Sequence, residues 1–293
     1  MTNQTELNTW LLDAAWNGTD KKVLDLLSRG AQVDACDREG KTPICHAIGN
    51  YRIENIMALI NHGAYVNYRH KNGNTALHIA AGSGRLDYVD ILVARGANVH
   101  AADNSGYTPL HLAADNDHFD AIKRLVELGS DLNATINTGD SPLHLASKWQ
   151  AEKNVLYLIE HGASVNLRNK NGFTPLHFAA GARNEKTALL LIAHGAELER
   201  RPQKVGNMLI AQMMPWQAAI RAGLTGKVGE LLSKGDQNGL SFSDFTRPML
   251  AYARKHKQPE VLALIQSKIA MQAIDEIVST ALHGRRDHVT KPA

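Results

Sequence analysis

One six-residue pattern returns along this chain at a fixed step of 33 residues. It reads Thr42-Pro-Ile-Cys-His-Ala47, Thr75-Ala-Leu-His-Ile-Ala80, Thr108-Pro-Leu-His-Leu-Ala113, Ser141-Pro-Leu-His-Leu-Ala146 and Thr174-Pro-Leu-His-Phe-Ala179. Each copy is a helix start. The Thr or Ser hydroxyl can accept from an unpaired amide of the first turn, and proline at the first helical position lacks only an amide that had no partner there. A row of glycines keeps the same step of 33: Gly30, Gly63, Gly96, Gly129, Gly162 and Gly195. Each ends an apolar helical run, where glycine supplies the left-handed residue. A third row, Gly40, Gly73, Gly106, Gly139 and Gly172, lies in polar turns and fits a hairpin loop. The repeating unit is therefore a finger, a first helix, a tight turn and a second, longer helix. Alone it cannot bury its apolar face, so stacked units must share one elongated core, each touching its neighbours.

A 33-residue period carrying T-P-L-H-x-A identifies the sequence as resembling ankyrin-repeat proteins over nearly its whole length. The resemblance implies an all-α repeat solenoid with short β-hairpin fingers and about eight units, the terminal ones degenerate. Residues 1–37 read as an N-terminal capping repeat, in which Thr9 opens a first helix and Lys21 a second. Residues 38–198 hold five well-formed repeats. The register then slips: Met214 is 40 after Thr174 and Gly235 is 40 after Gly195, which places a seven-residue insertion in 199–213. Residues 214–268 hold two degenerate repeats, the last opening at Arg247 with its second helix over 259–268. A one-sided apolar stripe over 269–283 reads as a capping helix, with a partner-binding helix as the alternative, and 284–293 as a flexible tail.

Composition adds limits. The chain is 44% hydrophobic and only 5% aromatic, so its core must be aliphatic. The net charge of +3 is too small to argue for nucleic acid. It is unevenly spread, −2 over residues 1–195 and +5 over the remainder. The start carries no basic and apolar leader, and no run of 18 apolar residues occurs, so neither a secretory signal nor a membrane span is expected. Two cysteines, Cys36 and Cys45, fit two free thiols in a reducing, cytoplasmic setting, with signal-independent export as an effector left open.

Fourteen histidines invite a metal site, and the repeat disposes of most of them. The resemblance implies that His78, His111, His144 and His177 tie their helices to neighbouring finger backbone. Cys45 stands where that histidine belongs, so the tie is not expected there. His62, His161 and His194 precede the helix-ending glycines, where a cation suits the helix dipole. No metal and no cofactor are expected. No nucleophile elbow, Walker loop or zinc-protease motif occurs, and no catalytic residues are assigned.

The resemblance implies a non-enzymatic protein-interaction module or adaptor that binds a protein partner on the concave surface of finger tips and inner helices. No small-molecule substrate is expected. An inhibitor or host-directed effector that occludes a target enzyme is the alternative, and a nucleic-acid binder using the basic C-terminal half ranks last. The candidate binding residues lie at positions the repeat leaves free: Arg69, Lys71, Asn74, Asn104, Tyr107, Asp115, Asp140, Lys148, Trp149, Arg168, Lys170 and Phe173. Tyr107, Trp149 and Phe173, with Arg168 and Lys170 beside them, form the expected patch, because aromatic and arginine side chains dominate interface energies.

Overall fold

The computed structural model describes residues 3–182, 184–197, 219–220, 223–233 and 242–284. Twelve helices form six pairs. The first helices are α1 (Gln4–Asn17), α3 (Pro43–Gly49), α5 (Ala76–Gly82), α7 (Pro109–Asp115), α9 (Pro142–Ala146) and α11 (Pro175–Gly181). The second helices are α2 (Asp20–Ser28), α4 (Ile53–Asn61), α6 (Leu86–Ala94), α8 (Phe119–Glu127), α10 (Glu152–Glu160) and α12 (Glu185–Ala193). First helices pack on first helices of adjacent units, α1 on α3 through to α9 on α11, and second helices do so from α2 to α4 and from α6 through to α12.

The core follows the period. Leu11, Ile44, Leu77, Leu110, Leu143 and Leu176 form one buried row in the first helices, and Leu26, Leu59, Leu92, Leu125, Leu158 and Leu191 a second row in the second helices. Each such side chain contributes about 1.5–3 kcal/mol by leaving water. Between the rows run Ala14, Ala47, Ala80, Ala113, Ala146 and Ala179, also buried, whose small size lets the helices approach closely. Each second helix ends as its sequence requires. Gly129, with φ at 82°, follows the last turn of α8, and Ser130 N–H donates back to Leu125 O at 3.0 Å.

The expected β-hairpin character of the fingers is not confirmed: among the described residues no strand occurs. Each finger is closed by one such bond across four residues, as from Asp103 N–H to Tyr107 O at 2.8 Å and from Asn169 N–H to Phe173 O at 2.9 Å. A strand pair needs further rungs, and the chain has already turned into the next helix at Thr108 or Thr174. Adjacent fingers are joined by single backbone bonds, Asn104 N–H to Asn72 O at 2.9 Å and Asn137 N–H to Ser105 O at 2.8 Å. Gly106 permits this approach: a Cβ there would lie 2.9 Å from Ile136 Cα.

Beyond α12 the expected insertion lies outside the described residues. Ala219 and Ile220 are buried, and Leu224 N–H donates to Ala219 O at 3.0 Å, as Asn184 N–H does to Ala179 O at 2.8 Å. Helix α13 (Thr225–Ser233) follows. The next helix, α14, starts at Phe242 rather than Arg247 and runs to Lys255 with Pro248 inside it. One continuous helix, α15 (Pro259–Gly284), spans both the stretch read as a second helix and the stretch read as a cap. Among the described residues no helix is long and apolar enough to cross a membrane.

Candidate partner-binding surface

Three of the four repeated histidines, His78, His111 and His144, are tied into the next finger by the fold. Thr75 N–H donates to His78 Nδ1 at 3.1 Å, which leaves the proton on Nε2, and Nε2 donates to Tyr107 O at 2.9 Å. His111 reaches Asp140 O at 3.3 Å and His144 reaches Phe173 O at 3.0 Å in the same way. Burial holds these rings neutral and pushes His111 and His177 down to about 4. His62, His161 and His194 donate from Nδ1 to the carbonyls four residues back, Ala58, Tyr157 and Leu190, each at 2.8 Å. Each of these carbonyls also accepts its histidine's own backbone N–H, so the ring adds a second bond at the helix end.

The second unit departs from this scheme and repairs itself. Cys45 occupies the histidine position, its thiol pushed up to about 11 by burial and therefore protonated. Thr42 Oγ donates to its sulfur at 3.4 Å, and His70 Nε2, from the next finger, stands 2.8 Å from the same sulfur. The imidazole thus comes from the following finger instead of going to it. His70 sits where Asp37, Asp103 and Asn169 sit in other fingers. Two departures in adjacent units were the signal in the sequence, and only their contact gives it meaning. Cys36 and Cys45 are both free thiols.

The twelve residues expected at the surface separate into buried, half-buried and exposed groups. Phe173 is 6% exposed, its ring tilted against His177 at 5.6 Å, and so is not offered to a partner. Asp140 is also buried, accepting from Thr138 Oγ and Asn169 Nδ2, both at 2.6 Å. Asp140 is covered by the adjacent finger through Asn169, and Phe173 packs within its own unit against His177. Tyr107 is half-buried with its ring edge toward His111, and Asn74 is half-buried. Arg69, Lys71, Asn104, Arg168 and Lys170 are exposed at the finger tips. Asn104 Nδ2 donates to Lys71 O at 2.8 Å, and Arg168 Nη1 to Gly172 O at 3.2 Å.

Lys148, Trp149 and Asp115 form one cluster across two units. Lys148 Nζ lies 2.9 Å from Asp115 Oδ1, and Trp149 Nε1 donates to Asp115 O at 2.7 Å. The indole is 43% exposed yet fixed in orientation. The cause is local. Helix α9 stops at Ala146 after five residues, Ser147 Oγ donates back to Leu143 O at 2.6 Å, and Trp149 N–H takes Ala146 O at 3.1 Å.

Sequence reasoning did not single out a second exposed aromatic on this face. Trp16, 40% exposed, lines a cleft of about 670 Å³ with Leu12, Asp13, Asp37, His46 and Ile79. Burial raises Asp37, but amide bonds from Lys41 and Glu39 and the bond from His46 outweigh it and hold the carboxyl below its ordinary value. Among the described residues no three His, Cys, Asp or Glu side chains converge as metal ligands.

A family model described as ankyrin repeats in three copies matches residues 11–103 and 132–202. Another, described as ankyrin repeats in many copies, matches residues 92–146. No curated protein matches the chain.

Proposed function

From the premise that this chain belongs to the ankyrin-repeat family, we propose that it is a non-enzymatic adaptor that binds a partner protein on the face built by its fingers and first helices. Ankyrin repeats generally mediate protein–protein interaction, and side-chain variation on a common scaffold sets the partner. The observation that carries the reading is Trp149. A large aromatic side chain held half in solvent by a neighbouring unit's carbonyl has already lost the freedom that binding would otherwise cost. The Lys148–Asp115 ion pair beside it, and Lys71 and Lys170 at finger tips, give the face a polar rim of the kind that surrounds an interface anchor.

The test is photo-crosslinking in extract of the native cell, with a photoreactive amino acid in place of Lys71 at a finger tip or of Lys123 on the exposed side of α8. The expected result is one discrete protein adduct from the finger position, none from α8, and loss of most of the adduct when Trp149→Ala is added. Equal labelling from both positions would refute the assignment of the face.

A further inference from the structure

The cleft beside Trp16 has a chemistry that the finger tips lack. Its floor is apolar, made by Leu12 of α1 and Ile79 of α5. Its wall is the Trp16 ring, seated against Gly49 of α3 so closely that a Cβ at that glycine would lie 3.0 Å from the ring. The ring edge meets His46 at 6.1 Å, and Asn50 Nδ2 pins the Trp16 carbonyl at 2.7 Å. The indole therefore has a fixed place between two units, as Trp149 has further along.

Two carboxylates stand at the rim. Asp37 receives His46 Nε2 at 3.0 Å and the amides of Glu39 and Lys41 at 2.8 and 2.9 Å. Asp13 accepts from Asn17 at 3.3 Å, and the ammonium of Lys22 stands 4.0 Å from it. Lys41 also lines the cleft, but its ammonium is 2.7 Å from Glu39, so its charge is offset there. The cleft is thus locally negative in a chain whose net charge is +3. A carboxylate ligand would be repelled, and a purely aliphatic one would desolvate two carboxylates and give them no partner. A long aliphatic stem ending in a cation satisfies floor, ring and rim together. The molecule already places cations over its own rings: Arg85 lies 5.1 Å from Tyr51 and 4.4 Å from Tyr88.

We propose that this cleft receives a lysine or arginine side chain of the partner protein, with its stem against Leu12, Ile79 and the Trp16 ring and its cation between Asp13 and Asp37. The proposal rests on the adaptor reading and adds a position-specific demand to it.

The probe is a set of degenerate octapeptides whose central residue is fixed as arginine, lysine, norleucine or glutamate, passed over the immobilised full-length chain at about 150 mM salt, where long-range attraction is screened. The arginine and lysine pools are expected to be retained about fivefold over the other two, the scale of one exposed cation–π contact. Asp13→Asn and Trp16→Ala should each abolish the preference with circular dichroism unchanged, while Trp149→Ala keeps it. Equal retention of the norleucine pool, or a preference that survives both cleft substitutions, overturns the proposal. A partner crosslinked through Lys71 whose affinity ignores Trp16→Ala also overturns it and leaves the adaptor reading standing. Selective retention of the arginine pool with no crosslinked partner supports the cleft and counts against the adaptor reading.

Discussion

Leu110 and Leu125 are sealed among aliphatic side chains of their own and adjacent units, whereas a few residues away Gly106 lies against the backbone of Ile136 and His111 gives its proton to Asp140 O. The helix layer coheres by apolar burial, which has no direction and tolerates any side chain of the right volume. The finger layer coheres by single hydrogen bonds and close backbone approach, which have direction and fixed distances. The helices accordingly set how much stability the stack has, and the fingers set how one unit is placed on the next.

The largest expected effect of a single substitution lies in the helix layer. Leu125→Ala should cost about 2–5 kcal/mol by chemical denaturation, while Leu125→Met should cost under about 1.5 kcal/mol because the volume is kept. If the methionine variant loses as much as the alanine variant, the helix layer is as exacting as the fingers and the contrast fails.

Acid separates the layers next. The folded His111 ring titrates at about 4, below the ordinary value of 6.5, so the unfolded chain binds the proton more readily. Stability is therefore complete above about 6.5 and falls as the pH drops from there to about 4, by on the order of 3 kcal/mol for His111 alone, and levels off below. His78, His144 and His177 are shifted the same way by burial and steepen the loss. Equilibrium unfolding measured from pH 7.5 to 4 checks this; a flat profile would show that the buried rings do not govern the finger layer.

The two glycine rows sharpen the comparison further. Gly129 has a positive φ and open space around a Cβ, while Gly106 has a positive φ and the next finger's backbone at 2.9 Å. Gly129→Ala should cost about 1 kcal/mol, the strain of a left-handed alanine, and Gly106→Ala about 2–4 kcal/mol because the finger must also move. Equal thermal shifts for the two would remove the stacking role assigned to Gly106. The smallest effect belongs to Tyr88, whose buried hydroxyl has no hydrogen-bond partner among the described residues. Tyr88→Phe should be neutral or stabilising by up to about 1 kcal/mol, and a clear loss of stability would point to a bond in the helix layer of the kind found in the fingers.

Much of the fold was legible because it is written locally and repeatedly. The N-capping residues, the prolines and the helix-ending glycines each act within a few residues, and the step of 33 turned them into a stack. The turn bond from Leu224 N–H to Ala219 O, ahead of α13, stands 40 residues after the one from Asn184 N–H to Ala179 O, ahead of α12. What was not legible depends on neighbours that no local pattern names. Phe173 reads as a free fingertip aromatic, yet it is buried with its ring against His177. Gly49 reads as an ordinary small residue until Trp16 of the preceding unit lies on it. Pro248 reads as a first helical residue, yet α14 begins at Phe242.

The histidine ties from Thr75 to Phe173 have a direction: His78, His111 and His144 each bond a carbonyl 29 residues ahead, in the unit still to come. On a ribosome, a newly emerged unit of this stretch holds a buried N–H with nothing to receive it until the next finger appears. At 5–20 residues per second that interval is roughly one and a half to six seconds. During it the growing end is the least finished part of the chain, and each repeat is completed by its successor. Cys45 eases this demand at the start of the array. Its partner His70 also arrives 25 residues later, but a neutral thiol waits in an apolar core at far less cost than an imidazole, so the first full repeat asks less of its successor.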